Sequence, residues 1–214
     1  MTLKYHRIAC FSLYPKEGPS VRHRVHSYSD ILRENGFIIE FHPFLTHNFF
    51  LNRRQFGFKS LPYKIAMLIF CSIRMSLNIL VARKYDAIIL HREYFPLGGA
   101  TFEKLLSKIN PRIIYDVDDA IWSPMTLKVN QRKRFWNSNR FSEMIKVSKR
   151  VVVGNNFLAE YARNFNTNVN VIPTPYYDLH GNKRDITNNE VPIIVWIGNV
   201  GNHEYLEILR KPLE

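Results

Sequence analysis

Short apolar runs rich in β-branched residues alternate along this chain with longer stretches in which apolar residues recur at helical spacing. Such alternation predicts a parallel sheet covered by helices on both faces, a Rossmann-like α/β arrangement. The first strand is predicted near Arg7 to Leu13, followed by a loop holding Pro15, Gly18 and Pro19. Val21, Val25, Tyr28 and Leu32 then form one helical stripe, which Gly36 is placed to end. Further strands are predicted over Phe37 to Phe41, Ala87 to Leu90, Arg112 to Tyr115, Arg150 to Val153 and Val169 to Ile172.

Between the third and fourth strands, Phe102, Leu105, Leu106 and Ile109 make one stripe of a helix. Asn155 or Asn156 suits the cap of the helix after the fifth strand, because its side chain accepts a bond from an unpaired first-turn amide. The segment from Pro62 to Arg83 is apolar around most of its circumference, which predicts a helix buried on a broad face or, as the alternative, one lying in a membrane interface. Its most apolar part, Ile65 to Leu80, is broken by Arg74 and falls short of the roughly 20 residues that span a bilayer. These patterns divide the chain into a domain over residues 1–176, a polar linker over 177–190, and the start of a second domain over 191–214 with a strand from Ile193 to Ile197.

Composition changes this picture little, except in charge. At 46% hydrophobic and 22% charged, the 214 residues are those of a folded globular protein. The net charge of +12 favours polyanionic partners: an anionic membrane surface, phosphorylated substrates or nucleic acid. Its basic residues are scattered rather than gathered in a tail, which argues against nucleic acid. Cys10 and Cys71 lie far apart and suggest neither a disulfide framework nor a zinc site, as fits a reducing cytoplasm. The apolar part of the N-terminus is too short and interrupted for a signal peptide.

Three strand ends carry candidate chemistry. The loop PKEGPSVRHR, with Gly18, Arg22 and Arg24, joins the first strand to its helix, where open α/β sheets hold phosphates; it lacks a dinucleotide fingerprint, and a plain turn is the alternative. His91, Arg92 and Glu93 end the third predicted strand, where they could orient a sugar hydroxyl or pair with carboxylates. Asp116, Asp118 and Asp119 end the next, in YDVDDAIW. Three carboxylates at one strand end are costly unless they meet a cation, a proton or an arginine, or cap the segment that follows. Gly198, Asn199 and Gly201, in WIGNVGN, form a glycine-rich turn that suits phosphate.

Taken in order, these segments resemble the group-one glycosyltransferases, the large retaining GT-B family, and especially its bacterial members acting on surface polysaccharides. PSVRHRV is similar to the family's PSxRxRV, and HREYFP followed by YDVDDAIW to a pair of segments in one branch. VVVGNNFLAEYARNFNTNVNVIPTP resembles the stretch that closes the N-terminal domain, with PTP at Pro173 to Pro175 in place of PNG, and VWIGNVGNHEYLEILRKPLE resembles the opening of the donor domain.

The resemblance implies the N-terminal, acceptor-side half of a GT-B fold, with no cofactor and no metal. A nucleotide sugar is the donor and a glycan or lipid-linked molecule the acceptor, at the inner face of the membrane or in the cytoplasm. It places Arg22, Arg24, Gly18 and the 198 to 201 turn on the diphosphate side. Asp118, Asp119 and Glu93 become the candidate catalytic carboxylates, with His91, Arg92 and Asp116 lining the acceptor cleft. It also implies that the 214 residues alone, with the donor wall cut short, do not catalyse transfer. A non-catalytic acceptor-binding remnant is the alternative from another class. A phosphatase built on the DxD pair is a third reading, although Ala120 stands where that pattern carries Thr or Val.

Overall fold

A computed structural model of the chain describes residues 5–52, 61–96, 99–122, 139–175, 195–196 and 206–213. The chain divides into two compact units, Met1–Pro175 and Tyr176–Glu214. In the second, a short helix spans Arg210–Leu213. Gly198, Asn199 and Gly201 lie outside the described residues, as does the expected strand from Ile193 to Ile197 apart from Val195 and Trp196, which belong to no regular element.

The first unit runs β1 (His6–Ser12), α1 (Pro19–Arg24), α2 (Ser29–Glu34), β2 (Phe37–Pro43), α3 (His47–Asn52), α4 (Leu61–Val81), β3 (Ala87–His91), α5 (Thr101–Ile109), β4 (Ile113–Val117), α6 (Arg140–Val147), β5 (Arg150–Val153), α7 (Asn156–Arg163) and β6 (Val169–Val171). Its six strands form one sheet in the order β2-β1-β3-β4-β5-β6, and every neighbouring pair is parallel. The expected α/β class with a Rossmann-like parallel sheet is therefore what the protein adopts. Because β1 lies between β2 and β3, the chain leaves β1 toward one side and comes back to pair on the other. That reversal opens a crevice at the carboxyl ends of β1 and β3, where such sheets hold ligands.

One face of the sheet carries the core. Ala9, Phe11, Ile88, Leu90, Tyr115, Val117 and Val153 pack there against Cys71, Met75 and Ile79 of α4, Leu106 of α5, Met144 of α6 and Leu158 of α7. Asn155 caps α7 as expected, its side chain accepting from the Leu158 amide at 3.0 Å. Over the other face lie α1 and α2, six residues each, so Ile39, Ile89 and Val152 are only partly buried beside a cavity of about 230 Å³.

Three local expectations are corrected. The stripe from Val21 to Leu32 is not one helix: the backbone breaks at Val25 (φ −128°, ψ −54°), and the 3-10 turn His26–Tyr28 separates α1 from α2. In α5 the buried row holds Glu103 and Leu106, whereas Leu105 is 45% exposed. The carboxylate turned inward here accepts from backbone amides beyond β3, and this sets the helix's rotation.

The third correction concerns α4, which is 21 residues long and, by length and composition, apolar enough to cross a membrane. Instead of a broad buried face it has a narrow one, with Cys71, Met75 and Ile79 each 1% exposed. Arg74, the residue that interrupts the apolar run, donates to the carbonyls of Pro43 at 2.5 Å and Phe44 at 2.8 Å. It thereby fastens the helix to the end of β2.

The asymmetry of α4 makes a stability prediction. Met75→Ala is expected to cost about 2–5 kcal/mol, the range for a large side chain removed from a core. Ile73→Ser, on the exposed side, is expected to change stability by less than about 0.5 kcal/mol. Urea unfolding of both variants checks the contrast.

Candidate functional site

The carboxyl ends of β1, β3 and β4 place Ser12, His91 and Asp116 side by side, since register pairs Ser12 with His91 and His91 with Asp116. All three are buried on the sheet face below α1. An ionised carboxylate there needs compensation, and Asp116 receives it twice. His91 Nδ1 lies 2.7 Å from Asp116 Oδ2, and Arg24 Nη2 lies 2.5 Å from Oδ1, with side-chain exposures of 2% for Arg24 and 7% for Asp116. Burial alone would push the Asp116 carboxyl up; the bonds from His91 and Arg24 outweigh it and hold the pKa below the usual carboxylate value. The Arg24 guanidinium also donates to the carbonyl of Ile172, just past β6.

Above this buried row stands a second, more open group. At the end of β3, Arg92 has φ +55°, the left-handed conformation that side chains disfavour, and its amide donates to the Asp116 carbonyl at 2.9 Å. Its guanidinium bonds Asp119 at 3.0 Å and stands 3.9 Å from both Glu93 and Asp118. Burial would lower the Arg92 pKa, but Glu93, Asp118 and Asp119 together raise it. Asp119 is 61% exposed at its side chain, whereas those of Glu93 and Asp118 are 11% and 13% exposed.

Among the described residues, three buried side-chain atoms at this rim have no hydrogen-bond partner: His91 Nε2, Glu93 Oε2 and Asp118 Oδ1. Glu93 Oε2 and Asp118 Oδ1 are carboxylate acceptors, and His91 Nε2 lies beside them on the ring whose Nδ1 faces Asp116. The two guanidiniums of Arg24 and Arg92 face four carboxylates, those of Glu93, Asp116, Asp118 and Asp119. The arrangement therefore calls for hydrogen-bond donors and repels additional anions.

Of the residues singled out from sequence, the structure brings Arg24, His91, Arg92, Glu93, Asp116, Asp118 and Asp119 to one rim. Arg24, assigned to the diphosphate side, is instead buried and bound to Asp116. Arg22 is exposed, and its guanidinium lies 3.3 Å from His23 Nε2 rather than in the cluster. Gly18 is buried for packing: a Cβ there would come within 2.9 Å of Tyr14 Cβ and 3.1 Å of the Pro15 carbonyl. Sequence reasoning missed the Glu103 and Arg140 pair, which are 2.5 Å apart and almost wholly buried. Glu103 also accepts from the Tyr94 and Phe95 amides, at 3.2 and 3.5 Å, so it props up the loop that follows Arg92 and Glu93. Its signal was its place one turn before Leu106, inside the stripe.

No family model matches the chain, and no curated protein matches it. Among the described residues, no group of three or more His, Cys, Asp and Glu side chains is arranged to hold a metal ion.

Removal of Arg24 is expected to be severe. Arg24→Ala leaves the buried Asp116 with half its compensation and should cost about 3–5 kcal/mol, the range for breaking one side of a buried pair. The depressed pKa of Asp116 makes the same network sensitive to acid. Its contribution is complete above the unfolded-state value of about 4 and is lost as pH falls through the lower folded-state value. Stability of the wild type followed below pH ~4 should drop more steeply than that of Asp116→Asn, which has no such proton to take up.

Proposed function

We propose that the rim is the acceptor side of a glycosyltransferase of the retaining GT-B kind, and that it binds the hydroxyl groups of a glycan or lipid-linked sugar. The observation that carries this reading is the pair of buried carboxylate acceptors Glu93 Oε2 and Asp118 Oδ1, with His91 Nε2 beside them, none of which has a hydrogen bond among the described residues, around the Arg92 guanidinium. Sugars present several hydroxyl donors at once, whereas phosphate oxygens only accept and would meet an excess of carboxylates. The all-parallel sheet with its crevice beside β1 and β3 supports the same reading, as do the segments that resemble the family.

Within this proposal Glu93 and Asp118 are the catalytic carboxylates. Each has an oxygen that makes no hydrogen bond among the described residues and could take up the proton of an attacking acceptor hydroxyl. Asp119 acts by holding Arg92, whose guanidinium stands 3.9 Å from both Glu93 and Asp118. The donor diphosphate belongs elsewhere, and we assign to it Arg22, which is exposed and outside the cluster. Gly18 serves by letting α1 begin close against Tyr14. The phosphatase reading is weaker, because the first carboxylate of its DxD pair, Asp116, is engaged by Arg24 and His91.

Calorimetric titration tests the proposal, using the whole chain with short oligosaccharides, nucleotide sugars and inorganic pyrophosphate as probes. Asp118→Ala and Glu93→Ala are each expected to weaken oligosaccharide binding about 10- to 150-fold, the worth of a hydrogen bond to a charged group. Pyrophosphate binding should be unaffected by either change. Pyrophosphate that competes with the oligosaccharide and depends on the same two carboxylates would overturn the assignment.

A further inference from the structure

Helix α4 presents to solvent a face that is almost entirely apolar. Ile65, Ile69, Phe70, Ile73, Leu77 and Leu80 are between 50% and 67% exposed, and Ile65, Ile69, Ile73 and Leu77 form one row at i, i+4 spacing. Contiguous apolar surface of this length is uncommon on a monomer and marks a place of contact. The chemistry around it is one-sided. Between Glu40 and Asp86 the sequence has no Asp or Glu and seven Lys or Arg. In and just after α4, Lys64 lies in the first turn, while Arg83 and Lys84 are exposed at the far end. Arg74 is bound to backbone carbonyls, so among the described residues the cationic groups of this segment without an ion pair lie at the ends of the helix.

We propose that this face is the membrane-docking surface of the protein, lying in the plane of an anionic bilayer with its aliphatic row among the acyl chains and its terminal basic residues at the headgroups. The inference does not depend on the proposed sugar chemistry. Three observations choose this occupant and orientation. First, α4 cannot cross the bilayer while Cys71, Met75 and Ile79 on its other side hold the core, so it lies flat. Second, a single convex helix about 30 Å long has no groove for a protein to fill, whereas a fluid interface needs no shape match. Third, a second copy would bring Lys64, Arg83 and Lys84 toward like charges, but anionic lipid compensates them.

Flotation of the whole chain with vesicles is the test, comparing phosphatidylcholine alone with phosphatidylglycerol-enriched bilayers at low and high salt. The wild type should float with the anionic vesicles at least about tenfold better than with the neutral ones, because each basic residue near such a surface is worth roughly fivefold in partitioning. High salt should reduce that preference. Ile69→Glu with Ile73→Glu changes only exposed positions and should abolish flotation while leaving the melting curve in place. Arg83→Gln with Lys84→Gln should retain weak binding but lose most of the anionic preference. The proposal fails if the wild type does not bind either vesicle, or if Ile69→Glu with Ile73→Glu floats as well as the wild type. It also fails if sedimentation without lipid shows a dimer that this double substitution dissolves, which would make the face an interface between copies.

Discussion

An ionised carboxylate on a central strand of a closely packed sheet is tolerable only where cations and donors reach it, and Asp116 is in that position. Its requirement organises the region. His91 meets it from β3, which ties two adjacent strands by their side chains as well as by their backbones. Arg24 meets it from α1, and the same guanidinium continues to the Ile172 carbonyl beyond β6. One carboxylate thus fixes the positions of a helix, two strands and the end of a third. Buried ion pairs of this kind contribute modestly to net stability, since desolvation offsets attraction, but they allow few other arrangements.

Below the loop that follows Arg92, Glu103 and Arg140 repeat this logic on the opposite face of the sheet. Glu103 binds the amides of Tyr94 and Phe95 and pairs with the first residue of α6. The turn at Arg92 is therefore held from both sides, by the Asp116 carbonyl and by Glu103. A left-handed arginine costs on the order of 1–3 kcal/mol and persists only where its surroundings determine it. Here the strain coincides with the buried carboxylate acceptors, which is where a binding surface benefits from being set in advance.

Much of this was legible from residue order alone. The strands were readable because each is a short β-branched run whose neighbours in sequence are helical, and Asp116 to Asp119 stood out because adjacent carboxylates demand an explanation. What escaped was the pairing. Arg24 lies three residues after Val21 and one before Val25, on the apolar stripe itself, and a charge on a buried stripe implies a buried partner. Nothing local identifies that partner as a residue 92 positions away. The same blindness to distant partners turned α5 in the reading, since the demand of the Tyr94 amide for an acceptor is invisible in Phe102 to Ile109. For α4, hydrophobicity around the circumference suggested deep burial, although a membrane interface produces the same composition without any protein neighbour.

The placement of α4 connects the two proposals. It starts after the carboxyl end of β2 and leads toward the beginning of β3, so it runs from the rim edge of the sheet to the opposite edge. Arg74, near its middle, is fastened to Pro43 and Phe44, and Asn78 lies 3.5 Å from the hydroxyl of Tyr94, two residues beyond Arg92. The half of α4 before Arg74 therefore lies at or beyond the level of the carboxylates. A bilayer lying along the helix would then extend toward the end of the sheet where the strands finish. An acceptor whose sugar is carried on a lipid would reach the rim without leaving the membrane, whereas a soluble glycan would gain nothing from the apolar face. On the two proposals together, an acceptor carried on a lipid is the class that an α4 lying in the interface would favour, because its sugar and its anchor would then be held by the same protein surface.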